Sequence, residues 1–151
     1  MNVCKWLRLI ALSMLVLALL VGTLSAAPTR SGKFVTIDGQ EISFFRIEDR
    51  TVIKGWLNGT AIEIPMDSVG EVVFFESPNA SYSIFGNDIS AGEIELTRKV
   101  DGRRFIVQDA FLPSNCDCTY LTYSFRNPFT DEINRGNIAI DGLRRIVFDD
   151  R

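Results

Sequence analysis

Asp38-Gly39, Asn58-Gly59 and Asp101-Gly102 are Asx-Gly pairs that fall between runs in which apolar and polar residues alternate. That punctuation constrains the fold more than any other feature, because Asx-Gly is the sequence best suited to the positive-φ corners of a two-residue β-hairpin. The flanks have the period of two that a half-buried strand needs. Val52, Lys54 and Trp56 precede Asn58, and Ile62, Glu63 and Ile64 follow it; Ile94 and Leu96 alternate with Glu93, Glu95 and Thr97 before Asp101, and Phe105 and Val107 follow. From Pro28 onward the chain holds 14 isoleucines against 5 leucines, together with all 11 phenylalanines and all 3 tyrosines. Branched and aromatic side chains fit pleated surfaces better than helices. No helical period competes, so the body of the chain is expected to be all-β.

The first 27 residues stand apart. Lys5 and Arg8 precede an apolar stretch from Leu9 to Leu24, and the small residues Ser25, Ala26 and Ala27 follow. This order predicts a secretory signal peptide over 1–27, with cleavage near Ser25 or Ala27. The competing reading is an uncleaved anchor, which needs about 20 apolar residues; only in that case does the chain contact a membrane, through this segment. The protein is therefore expected to be exported, to the periplasm or beyond. Removing Lys5 and Arg8 from the 16 cations leaves 14 against 19 acids. Such a balance argues against nucleic acid as a partner, since phosphate binding needs a basic footprint. The chain contains 0 histidines, which removes Ser-His-Asp triads, Cys-His pairs and imidazole acid-base chemistry.

Two segments of the body match in pattern. Ile37-Asp38-Gly39-Gln40-Glu41-Ile42-Ser43-Phe44 aligns with Val100-Asp101-Gly102-Arg103-Arg104-Phe105-Ile106-Val107. Further on, Ile62-Glu63-Ile64 then Val69, Val72 and Phe74 aligns with Ile138-Ala139-Ile140 then Leu143, Ile146 and Phe148, with two residues fewer in the connection. The repeat predicts a duplicated β-meander unit. The closing element, a strand, a tight connection (Ile64-Pro65-Met66-Asp67-Ser68-Val69) and a last strand with alternate apolar residues, resembles the end of an SH3-like or Sm-like small barrel, and is similar to the pattern of many small exported bacterial proteins. The resemblance implies two tandem SH3-like barrels, the first over 30–77 and the second over 92–151, with 78–91 as linker or clasp strand. It implies no activity, because such a fold hosts many functions.

The second module spends residues 111–135 on what reads as a long inserted loop. Asn115, Tyr120, Tyr123 and Phe129 are its candidate interaction residues, set against the alternative of a hairpin that packs its own aromatics. Cys116 and Cys118 are the only cysteines after the signal, and an oxidising compartment favours a disulfide between them or with another chain. Redox activity or a soft-metal site remain open for this pair. Arg103, Arg104, Arg144 and Arg145 form a basic patch if the closing strand lies near the first hairpin; the alternative is outward charges that discourage edge pairing. Glu48-Asp49 reads as solvated turn carboxylates. No cofactor is implied. Two functions remain: a non-catalytic exported protein-interaction or structural module whose partner is another envelope protein, or a thiol-dependent redox or metal-handling protein centred on Cys116 and Cys118.

Overall fold

A computed structural model describes residues 30–48, 52–75, 88–113 and 120–149. The segments 1–27 and 114–119, and with them the expected signal peptide, Asn115, Cys116 and Cys118, lie outside the described residues. The described chain is all-β. In order it forms β1 (Gly32–Thr36), β2 (Glu41–Phe44), β3 (Arg46–Ile47), β4 (Val52–Leu57), β5 (Thr60–Pro65), the 3-10 turn η1 (Met66–Ser68), β6 (Val69–Phe74), β7 (Asp88–Arg98), β8 (Arg104–Pro113), β9 (Tyr120–Arg126), β10 (Ile133–Ala139), the 3-10 turn η2 (Ile140–Gly142) and β11 (Leu143–Phe148).

These strands build an open antiparallel sheet in the order β2-β1-β11-β6-β7-β8-β4-β5 and a smaller one in the order β10-β9-β3. The chain bends at Phe45 between β2 and β3, so one continuous stretch pairs with β1 in the large sheet and with β9 in the small one. Two circuits with the same strand order result. One runs β11-β1-β2, then β3-β9-β10, and returns through η2 to β11; the other runs β6-β7-β8-β4-β5 and returns through η1 to β6. The first circuit draws on residues 30–48 and 120–149, and the second, 52–75 with 88–113, lies between them in the chain. Strands of the stretches 30–77 and 92–151 are thus interleaved: β1 pairs with β11, β6 with β7, and β4 with β8. A single apolar core runs through both circuits, from Phe34, Leu121 and Ile146 to Ile53, Val72 and Val107, each 0% exposed. The circuits meet where Glu71, Val72 and Val73 pair with Val147, Ile146 and Arg145. Arg30 adds a clasp. Its Nη1 donates to the carbonyls of Met66, Asp67 and Val69 at 3.1, 3.0 and 2.5 Å, while the guanidinium stacks 4.6 Å from the Phe148 ring centre.

The aligned segments take equivalent places, with two adjustments. Val69 and Leu143 each follow a 3-10 turn and are buried, as are Val72 and Phe74 or Ile146 and Phe148 behind them. The turns begin at Met66 and Ile140, so Ile140 occupies the place of Met66 rather than Ile64, and no residues are missing from the second connection. Likewise Ile37 N–H donates to the Gly142 carbonyl at 2.9 Å and Lys99 N–H to the Ser68 carbonyl at 2.8 Å. Lys99 rather than Val100 therefore matches Ile37, and the second hairpin loop is one residue longer. The Asx-Gly turns differ accordingly. Asn58 and Gly59, at φ 50° and 77°, make the two-residue turn that the sequence suggests. At the other two sites only Gly39 (φ 86°) and Gly102 (φ 67°) are left-handed, inside wider loops closed by Thr36 N–H to Gln40 O and Arg98 N–H to Arg103 O.

Candidate functional site

The β9–β10 hairpin lies where the sequence places an inserted loop, and its backbone phase decides what it exposes. Phe45 N–H donates to the Ser124 carbonyl at 2.7 Å and Glu48 N–H to the Thr122 carbonyl at 2.8 Å, so the even residues of β9 face β3. The odd residues Leu121, Tyr123 and Phe125 therefore bond to Ile138, Gly136 and Asn134 of β10. Asn127 N–H donating to Glu132 O at 2.8 Å fixes the same phase from the turn end. Ile133, Arg135, Asn137 and Ala139 consequently turn their N–H and C=O groups away from β9. All four are exposed, and no strand pairs with that edge among the described residues.

Beside this edge lies a polar cluster on the outer face of the small sheet. Ser124 is the one buried polar residue among the described residues, 2% exposed, and its hydroxyl donates to Glu48. Arg46 donates to the same carboxylate from Nη2 at 2.7 and 2.9 Å. The Ser124 hydroxyl, then Arg46 and the charge of Arg135, hold the Glu48 carboxyl below its ordinary range against the opposing effect of burial. Glu48 is thus an anchored carboxylate, not the solvated turn residue its neighbour Asp49 suggests. No local pattern reveals the pairing, because Ser124 follows Glu48 by 76 residues.

The expected interaction residues separate into different roles. Tyr123 faces inward: its ring meets Phe34 edge-on at 5.2 Å, lies 5.8 Å from Phe125, and covers Gly136 so closely that a Cβ there meets Tyr123 Cζ at 2.9 Å. Burial pushes its phenol pKa up. Tyr120 is half-buried and pairs with Ala139. Phe129 is the exposed one, at 95%, on a tip held by its own N–H donating to Asn127 Oδ1 at 2.9 Å and by an Arg126–Asp131 ion pair at 2.9 Å.

The four arginines do not merge into one basic surface. Arg104 and Arg145 share the outer face of the large sheet, but β7 and β6 lie between them and supply carboxylates, Glu95 at 3.6 Å from Arg104 and Glu71 at 3.4 Å from Arg145. Arg103 sits 3.4 Å from Asp101 in the hairpin loop. Arg144 is the extra residue of a bulge, since Leu143 and Arg145 pair with the consecutive Thr36 and Val35. Among the described residues no three Cys, Asp or Glu side chains converge as metal ligands. No protein-family model matches the chain, and a search of curated proteins finds no relative.

Proposed function

We propose that this chain is an exported, non-catalytic interaction module of the envelope or secreted space, and that the open edge of β10 is its recognition element. The observation that carries this reading is the row of outward backbone groups at Ile133, Arg135, Asn137 and Ala139, next to the exposed Phe129. An unpaired strand edge binds an extended partner segment through main-chain hydrogen bonds, while alternate side chains set specificity. Its opposite number, β5, is the weaker edge: Lys54 and Trp56 pair towards β8, so Ala61, Glu63 and Pro65 face outward, and proline offers no N–H.

The compartment follows from Lys5, Arg8 and the apolar stretch behind them, and the partner is another envelope protein. The non-catalytic reading is supported by the lack of histidine and by Ser124, whose hydroxyl is buried and committed to an ionised carboxylate. Each strand circuit is read as a small SH3-like barrel of a duplicated unit, with strands exchanged between the two copies. The matching strand orders and the equivalent bonds of Ile37 and Lys99 to the 3-10 turns support this.

The test is a crosslinking pull-down from the envelope fraction with Asn137→Pro and with Phe129→Ser. Asn137→Pro removes one outward N–H and leaves the bonds to β9 intact, so partner retention is expected to fall while the fold persists. Equal retention of the same partners by both variants would refute the assignment of this edge.

A further inference from the structure

Among the described residues β10 and β5 each end a sheet, and their central outward residues carry opposite charges. On β10 the outward row is Ile133, Arg135, Asn137 and Ala139; on β5 it is Ala61, Glu63 and Pro65. Arg135 and Glu63 are both exposed, and among the described residues neither makes a close ion pair, although the charge of Arg135 acts on Glu48 and Glu63 stands across from Lys54. Resting on the strand-addition reading above, we infer that the two edges fit each other, β10 of one copy pairing antiparallel with β5 of the next so that Arg135 faces Glu63.

Three features support a second copy as the occupant. The register that sets Arg135 against Glu63 also sets Asn137 against Ala61, giving two full rungs of outward-facing groups. Ile133 then meets Pro65, whose missing N–H and whose carbonyl, already accepting Ser68 Oγ at 2.7 Å, end the ladder there. Secondly, both charges lie on outer faces, Glu63 across from Lys54 and Arg135 across from Ser124, so the joined sheets keep their apolar sides together. Thirdly, the like pairings are penalised. Two β5 edges centred on each other place Glu63 opposite Glu63, and two β10 edges in their longest register bring Arg135 diagonal to Arg135; like charges across a ladder are destabilising. Only the unlike pairing joins opposite charges. Because it uses different surfaces on the two copies, it propagates into open chains unless the rotation closes a ring. So short a seam is weak and forms only at high local concentration.

Sedimentation velocity of the exported protein, from micromolar to about millimolar concentration, tests this. The average mass is expected to rise beyond that of a dimer and to fall again at high salt, which screens the exposed pair. Arg135→Glu and Glu63→Arg should each weaken association about fivefold or more, measured well below their thermal melts, which fall somewhat because Arg135 acts on Glu48 and Glu63 stands across from Lys54. An equimolar mixture of the two variants should associate again, because mixing restores opposite charges across the seam. A protein that stays monomeric throughout, or a mixture no better associated than its components, overturns the inference. The strand-addition reading is judged separately. A monomeric protein whose partner is still lost with Asn137→Pro refutes self-pairing alone.

Discussion

Replacing Gly136 by alanine tests whether the Tyr123 ring belongs to the core or to the interaction surface. An alanine Cβ at this position meets the ring at Cζ, Oη and Cε1, at 2.9, 3.0 and 3.1 Å. The ring has little room to retreat, because Phe34 meets it edge-on at 5.2 Å and Phe125 lies 5.8 Å away. Overpacking of this kind costs about 1 to 3 kcal/mol. Alanine is otherwise favoured over glycine inside a strand by about 0.5 to 1 kcal/mol. The net expectation for Gly136→Ala is a loss between about 0 and 2.5 kcal/mol. In a Tyr123→Val background the crowding atoms are gone, and the same change should stabilise by about 0.5 to 1 kcal/mol. The coupling between the two sites is then the crowding energy itself, about 1 to 3 kcal/mol. Urea denaturation of the four proteins of this cycle, read from midpoints at constant m, measures it. An effect of Gly136→Ala that is the same in both backgrounds would show that the ring does not lie over Gly136, and would return Tyr123 to the surface.

Arg30→Met keeps the aliphatic stem but removes the donors to three carbonyls and the stack on Phe148; a loss of about 2 to 3 kcal/mol in the same denaturation assay is expected, and a loss below about 0.5 kcal/mol would show that the clasp does not join the circuits. Asp101 is held down to about 2 from 3.8 by Arg98. Since its folded pKa lies below its unfolded one, its contribution to stability is complete above the ordinary value and disappears as pH falls through about 2. Carboxyl chemical shifts should show that low midpoint, and Arg98→Ala should raise it; an unchanged midpoint in the variant would remove Arg98 as the cause. Ser124→Ala should move the Glu48 titration upward, because the hydroxyl is the largest influence holding it low. Stability linked to Glu48 is present above the ordinary carboxylate range and is lost on acidification, so the variant should lose less of it as pH falls.

What could be read in advance came from residues close together in the chain. Asn58-Gly59 needs only its own backbone to specify a tight turn, and the spacing of Val69, Val72 and Phe74 marks a strand whose inner face is filled whichever neighbour it acquires. The slips fall where one residue more or fewer leaves a similar pattern. Val100 looks like Ile37 by sequence, yet the bond to the 3-10 turn comes from Lys99, and Ile140 looks like Ile64 although it fills the place of Met66. Of the site, Phe129 was legible as an apolar residue in a polar turn. The inward turn of Tyr123 was not, because a tyrosine on an alternating strand suits either face until Phe34 and Gly136 are known to lie beside it.

Alternation and turn chemistry act over a few residues, so the order of residues along the chain is enough to specify that its body forms strands, where several of them turn, and which residues they bury. The partners follow from packing between distant segments: β1 beside β11, β4 beside β8, Glu48 against Ser124, and β10 with no strand on its outer edge among the described residues. Strands pair through backbone groups that every residue shares. When two segments carry the same apolar pattern, local sequence does not distinguish a strand's own neighbour from its counterpart in the other segment. Long-range packing makes that choice, and with it decides which edges and which charges face outward.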